Sequence, residues 1–356
     1  EIAQCLVGSE MCIRDRKYSS YKLKAMFLPK YTQVASLTRA NLLCRLLPLT
    51  RIRKVSYDGT PSSLAHSEAN NDILSDNIET VKLAYDKHSP PGVFSSANPP
   101  IVFLHGLFGC KSNNRTVSKK LALMLDRDVY CLDLRNHGAS PHIGRMDYSA
   151  MGADVERFIK DHELKNPILI GHSMGAKAAM AVCLRKPKLC SLLIPVDNAP
   201  VDFTAGATGF SKFGMYVRQL QKIEANRSLK SMRECDSVLA EVESNKVIRQ
   251  FLLMNMKPSK DGGYRCVVAL DVLAKTLDNV SAWPFNSDYS RWSKPALFIR
   301  GKKSPYVADN FLNSIAKFFP RFEVYDVDAG HWLISEKPHE FVTAVAEWIS
   351  YKEDIS

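Results

Sequence analysis

Residues 167–184 read PILIGHSMGAKAAMAVCL. An apolar run, Pro167 to Ile170, leads into Gly171-His172-Ser173-Met174-Gly175, and a run of helix formers from Ala176 to Leu184 leads out of it. A serine with glycine two residues away on each side, set between a strand and a helix, is the pattern of a nucleophile elbow. The reason is steric. A chain that doubles back over the serine leaves no room for a Cβ at either flanking position, and Gly171 and Gly175 meet that demand. The stretch predicts that Ser173 is delivered to one end of a sheet.

Working outward, the same kind of apolar run recurs as VKLAY (81–85), IVFLHG (101–106), VYCLDL (129–134), LLIPVD (192–197), ALFIRG (296–301) and FEVYDV (322–327). Near-continuous Val/Ile/Leu runs separated by helix-length segments are what a mainly parallel sheet covered on both faces requires, so the class is α/β. Between Val201 and Pro295 the alternation stops. Segments from Phe213 to Ala225, Leu229 to Glu243, Lys246 to Met256 and Val267 to Leu277 read as helices, with a turn at Asp261-Gly262-Gly263. The expected organisation is an α/β core over residues 56–200 and 284–356, a helical cap over 201–283, and a leader over 1–55.

At 356 residues, with 46% hydrophobic and 24% charged residues, the chain has ordinary globular composition. No apolar run reaches the roughly 18 residues of a membrane-spanning helix, because Leu42 to Leu49 is broken by Arg45 and Pro48. The net charge of +11 is concentrated at the N-terminus. Residues 1–54 hold 11 Lys and Arg against three acids, and the remainder carries only +3, so the folded part offers no argument for a nucleic-acid partner. From Lys17 to Tyr57 there is no Asp or Glu, while Lys, Arg, Ser, Thr and Leu are plentiful. That is the composition of a mitochondrial transit segment, and it predicts the import machinery as a partner and a mitochondrial location. The opening EIAQCLVGSEMCIRDR resembles translated adaptor read-through, and Met26 is the expected natural start. The nine cysteines form no CxxC pair and no Cys/His cluster at zinc-finger spacing, so no structural metal or disulfide framework is expected.

A serine hydroxyl needs a histidine base, and on this fold the triad order is serine, acid, histidine. Of nine histidines, His331 stands after the last apolar run and before the amphipathic stretch from Pro338 to Ile349. His172 and His105 read as structural, with His105 bracing the loop that follows IVFL. The acid is expected at the end of a strand. The commonest position, in ALFIRGKKSPYVADN, offers Ser304 where a carboxylate would stand, which leaves Asp197 at the end of LLIPVD as first choice and Asp309 as the alternative. Asp326 and Asp328 are too near His331 along the chain to orient it, and Asp133 reads as structural. For the oxyanion, Met174 N–H and an N–H of the loop His105-Gly106-Leu107-Phe108-Gly109 are expected, Leu107 first and Phe108 second.

The strings FLHGLFGCKSNN, LDLRNHGASPH, GHSMGAKAAM, PVDNAPV and DAGHWLISEKP, in this order, resemble the α/β-hydrolase subfamily of the yeast ethanol acetyltransferases and the mitochondrial α/β-hydrolase domain-containing protein eleven of animals. The likeness runs from about Val81 to Ile349. It implies the elbow serine, Ser173, as nucleophile, the histidine of GHW, His331, as base, and the aspartate after the sixth strand, Asp197, as acid. It also implies a serine-dependent acyltransferase that makes acetate esters such as ethyl acetate from acetyl-CoA and an alcohol, with thioesterase and esterase side activity. The alternative is a mitochondrial serine hydrolase of esters or lipids. Either reading takes small-molecule substrates (acyl-CoA or ester, alcohol, water) and no cofactor beyond the acyl donor.

Overall fold

The computed structural model describes residues 52–54, 73–92, 98–204 and 210–355. Its strands are β1 (Ile52–Lys54), β2 (Tyr85–His88), β3 (Ile101–Leu104), β4 (Val129–Leu132), β5 (Ile168–His172), β6 (Leu192–Val196), β7 (Met256–Pro258), β8 (Tyr264–Cys266), β9 (Ala296–Gly301) and β10 (Phe322–Val327). Eight of them form one sheet in the order β1-β10-β9-β6-β5-β3-β4-β2, and β7 and β8 form a separate hairpin. The six inner strands are parallel; β1 joins β10 and β2 joins β4 antiparallel at the two edges.

The helices are α1 (Arg115–Leu125), α2 (Tyr148–Asp161), α3 (Met174–Arg185), α4 (Phe210–Ala225), α5 (Met232–Ala240), α6 (Lys246–Leu253), α7 (Leu270–Ser281), α8 (Leu312–Phe318), α9 (Leu333–Glu336) and α10 (Pro338–Asp354). Successive strand residues feed opposite faces of the sheet. Val102, Leu104 and Leu169 pack with α2 and α3, whereas Ile101, Phe103 and Ile170 pack with α1 and α10. Continuous apolar runs are thus explained by burial on both faces.

Register brings the strand ends together. Leu104 of β3 lies beside Gly171 of β5, and His172 of β5 beside Val196 of β6. Val327 of β10 lies beside Gly301 of β9. The loops that follow β3, β5, β6, β9 and β10 therefore all open at the C-terminal edge of the sheet, where α/β folds place their ligands.

Three expectations need correction. The expected leader ends at residue 55, yet Ile52–Lys54 pairs with Glu323 to Tyr325, so the sheet begins before Ser56; the rest of the leader lies outside the described residues. The run VKLAY yields a strand only from Tyr85, because the Val81 N–H is taken by Asp154 Oδ1 (2.8 Å) and the Ala84 N–H by Ser140 Oγ (2.8 Å) rather than by a neighbouring strand. The segment between β6 and β9 is not wholly helical: the turn at Asp261-Gly262-Gly263 closes the β7–β8 hairpin, and α6 ends at Leu253. Among the described residues no helix is long and apolar enough to cross a membrane, and no group of three or more His, Cys, Asp or Glu side chains could hold a metal ion.

Candidate active site

Ser173 sits where β5 turns into α3, with φ 55° and ψ −117°, a backbone conformation that L residues rarely adopt. The two glycines make it possible. A Cβ on Gly171 would lie 2.1 Å from the Gly175 carbonyl oxygen, and one on Gly175 would lie 2.5 Å from the carbonyl oxygens of Leu104 and His105. The elbow is also tied to its neighbours: the Ser173 N–H donates to Val196 O (2.9 Å), and Asn198 Nδ2 donates to Ser173 O (3.1 Å).

The structure brings Ser173, His331 and Asp197 into one hydrogen-bonded series. Ser173 Oγ lies 3.0 Å from His331 Nε2, and His331 Nδ1 lies 2.6 Å from Asp197 Oδ2. With Nδ1–H donating to the carboxylate, Nε2 is left bare to accept the serine proton, the tautomer that general-base action requires. Asp197 is fully buried, and its other oxygen, Oδ1, accepts the Gly301 N–H (3.0 Å). Asp309 is elsewhere: it is exposed and paired with Arg300 (2.7 Å). Asp326 also pairs with Arg300 and Asp328 with Lys303. Asp133 is buried and held by Lys111 and the Ala139 N–H.

Three further histidines hold the frame and not the reacting atoms. His105 Nδ1–H donates to Gly106 O (2.8 Å) and Nε2 accepts the Leu134 N–H (3.0 Å), so the ring is neutral and braces its loop. Burial lowers its pKa. His137 donates from Nδ1 to Arg135 O (3.0 Å) and accepts the Phe108 N–H at Nε2 (3.3 Å); burial pushes its pKa down to about 3. His172 donates from Nε2 to the backbone oxygen of His331 (2.8 Å), with its pKa lowered to about 4 by burial and then by the neighbouring His331. The His331 ring lies between two others, 5.0 Å from His172 and 4.5 Å from Tyr306 by ring centres.

The oxyanion expectation needs one correction. The Phe108 N–H is engaged by His137, and the Phe108 carbonyl accepts from Asn255 Nδ2 (2.8 Å), so Phe108 belongs to the scaffold of the loop. The N–H groups of Leu107 and Met174 carry no acceptor among the described residues. Met174 also opens α3, where the helix dipole favours negative charge.

Above Ser173 the cleft is lined by Leu107, Tyr148, Met174, Phe213, Val280 and Tyr306. Sequence reasoning missed Tyr148 and Val280, which meet through a 2.5 Å hydrogen bond from the Tyr148 hydroxyl to Val280 O, 132 residues away. From the segment between β6 and β9, Phe213 stands on this wall, whereas Tyr216 and Leu252 pack in the core and Met254 is exposed.

Comparison with known proteins agrees with this fold. Residues 99–338 match the family model described as alpha/beta hydrolase fold. A Saccharomyces cerevisiae protein named "Probable alcohol acetyltransferase" is 42% identical over 272 residues, 72% of this chain and 78% of its own length. The "sn-1-specific diacylglycerol lipase ABHD11" of Xenopus laevis is 37% identical over 274 residues, 76% of this chain and 84% of its own. "Ethanol acetyltransferase 1" of Wickerhamomyces ciferrii is 33% identical over 291 residues, 76% and 74% of the two chains. Among solved structures, a "Marine microorganism esterase" superposes with a TM-score of 0.70 at 30% identity, covering 75% of this chain and 99% of its own. The chain belongs to the α/β-hydrolase family, in the branch of the yeast alcohol acetyltransferases and the ABHD11 proteins, and is an enzyme of that superfamily.

Proposed function

We propose that the chain is a serine-dependent alcohol acetyltransferase that makes acetate esters, ethyl acetate among them, from acetyl-CoA. Ser173 Oγ attacks the thioester carbonyl carbon as His331 Nε2 takes its proton. The carbonyl oxygen becomes an oxyanion between the N–H groups of Leu107 and Met174. The C–S bond breaks, CoA leaves with the proton returned by His331, and Ser173 carries the acetyl group. An alcohol then gives its proton to His331 Nε2, attacks the acetyl carbon, and releases the ester as Ser173 regains the proton. Asp197 keeps the imidazole in the correct tautomer and stabilises its charged form.

The observation that carries this reading is the Ser173–His331–Asp197 series facing the Leu107 and Met174 N–H groups, which carry no acceptor among the described residues, in a chain 42% identical to a probable alcohol acetyltransferase of yeast. Hydrolysis is the second reading, favoured by the 37% identity to the frog diacylglycerol lipase; there water replaces the alcohol at the same intermediate. Acetyl-CoA with and without ethanol, scored for ethyl acetate, acetate and free CoA, separates the two. Parallel-line ping-pong kinetics with ester rising at the expense of acetate supports the transferase, and acetate release unaffected by ethanol with no ester supports the hydrolase. The acid-free stretch before Ser56 supports delivery to mitochondria. A reporter fused to residues 26–60 tests this, and cytosolic retention contradicts it.

A further inference from the structure

The last carbonyls of a helix have no partner within it. At the end of α7 they are met from the core. The Tyr148 hydroxyl donates to Val280 O (2.5 Å), and Lys177 Nζ donates to Ser281 O (2.9 Å) and Ala282 O (3.0 Å). Ser281 O also accepts the Phe203 N–H (3.1 Å). Tyr148 opens α2, and Lys177 lies one turn beyond Ser173 on α3, so the helix that starts at the nucleophile also grips the segment above the cleft. We propose that Lys177, together with Tyr148, is a positioning residue for the cleft wall: by holding Val280, Ser281 and Ala282 it keeps Val280 in the wall beside Ser173, and so limits the acyl group that the site accepts.

A lysine is a costly residue for this place unless its charge is used. Lys177 is fully buried, and burial pushes its pKa down to about 7 against the pull of Asp202. What favours the ammonium there is the negative end of the α7 dipole, with two carbonyl oxygens in contact, and the faces of two rings, Phe203 at 4.8 Å and Tyr148 at 5.4 Å from Nζ. A methionine of similar length would fill the space without that cost, but would leave Ala282 O with no donor among the described residues. The ring that Lys177 covers is also the one whose hydroxyl holds Val280, so the two grips brace each other. With the amine gone, the end of α7 loses its tie to α3, Val280 is freer to draw back, and the space over Ser173 lengthens.

This rests on Ser173 being the nucleophile, and the test separates the two. The full chain is assayed with p-nitrophenyl acetate and p-nitrophenyl butanoate, which need no alcohol acceptor, and the ratio of their kcat/KM values is read, butanoate over acetate. Two rates on one preparation scale alike with the fraction folded, so a merely structural loss does not move their ratio. Lys177→Met is expected to raise it about tenfold, within the range that hydrophobic pockets command. Val280→Ala is expected to raise it similarly, and the double variant no further than either, because both changes act through one side chain. Tyr148→Phe removes only the second grip and is expected to move the ratio in the same direction; it decides the matter if melting curves show that Lys177→Met does not fold. The assignment is overturned by a folded Lys177→Met enzyme with the wild-type ratio, by a double variant whose rise is the product of the single ones, or, where Lys177→Met does not fold, by a Tyr148→Phe enzyme with the wild-type ratio. Ser173→Ala with p-nitrophenyl acetate distinguishes the failures: if it is inactive while Lys177→Met keeps the wild-type ratio, only the role of Lys177 falls, and if it is fully active, the nucleophile reading falls and the assignment with it.

Discussion

Helix α3, which begins beside Ser173, is buried along its whole length, whereas α6 in the segment between β6 and β9 buries only Leu252 and Leu253 and leaves Val247 exposed. The same contrast runs through the site. Ser173, Asp197 and His331 hang from neighbouring strand ends whose register is set by ladders of backbone hydrogen bonds. The wall opposite them, Phe213 and Val280, comes from helices that reach the cleft by side-chain packing. The reacting groups therefore stand on the sheet, and on the proposed function the choice of acyl group and acceptor falls to the segment above it. Changes in the first region should abolish turnover, and changes in the second should redistribute it.

The largest effect expected is at the sheet edge. Ser173→Ala should lower kcat by about 10⁴ to 10⁶, as loss of a triad nucleophile does, with the melting temperature near that of the wild type. Steady-state kinetics with acetyl-CoA and a melting curve check both. Asp197→Asn should cost on the order of 10⁴, because the imidazole is then held in the wrong tautomer. Asp309→Asn breaks only an exposed pair with Arg300 and should change the rate by less than about twofold; a reversal of the two results would move the acid to the turn after β9.

The upper region predicts a smaller and different effect. Phe213→Ala should leave acetyl transfer within about tenfold of wild type and raise the relative kcat/KM for butyryl-CoA by about tenfold, the range that hydrophobic pockets command. An unchanged acyl preference would remove Phe213 from the specificity wall. The smallest effect is expected at the sheet's far edge. A chain beginning at Ser56 lacks β1 and uncovers the outer side of β10. It should melt a few degrees lower than one that retains Ile52–Lys54, and associate more readily at high concentration. Equal melting temperatures would show that β1 adds nothing to the sheet.

What could be read in advance divides along the same line. The elbow was legible because a strained turn demands small residues at fixed spacing, and Gly171 and Gly175 are that demand written in sequence. His331 and the candidate acids could be placed at one edge because parallel strands end there, but Asp197 is separated from Asp309 only by its hydrogen bond to His331 and by the pairing of Asp309 with Arg300. What escaped was decided by partners distant in sequence. Leu107 and Phe108 could not be separated until His137, 29 residues on, was seen to take the Phe108 N–H. The start of β2 depended on Asp154 and Ser140, 73 and 56 residues from the N–H groups they accept. The β7–β8 hairpin has strands of three residues each, too short for alternation to show.

On the proposed mechanism an acetyl group passes through Ser173. The most direct test is to quench the enzyme during turnover of acetyl-CoA without alcohol, and to locate any added acetyl group by mass spectrometry of its peptides. An acetyl group on Ser173 that disappears when ethanol is added before the quench, with ethyl acetate formed in equal amount, is the predicted result. No adduct on Ser173 while turnover continues, or an adduct there that ethanol does not discharge, would contradict it.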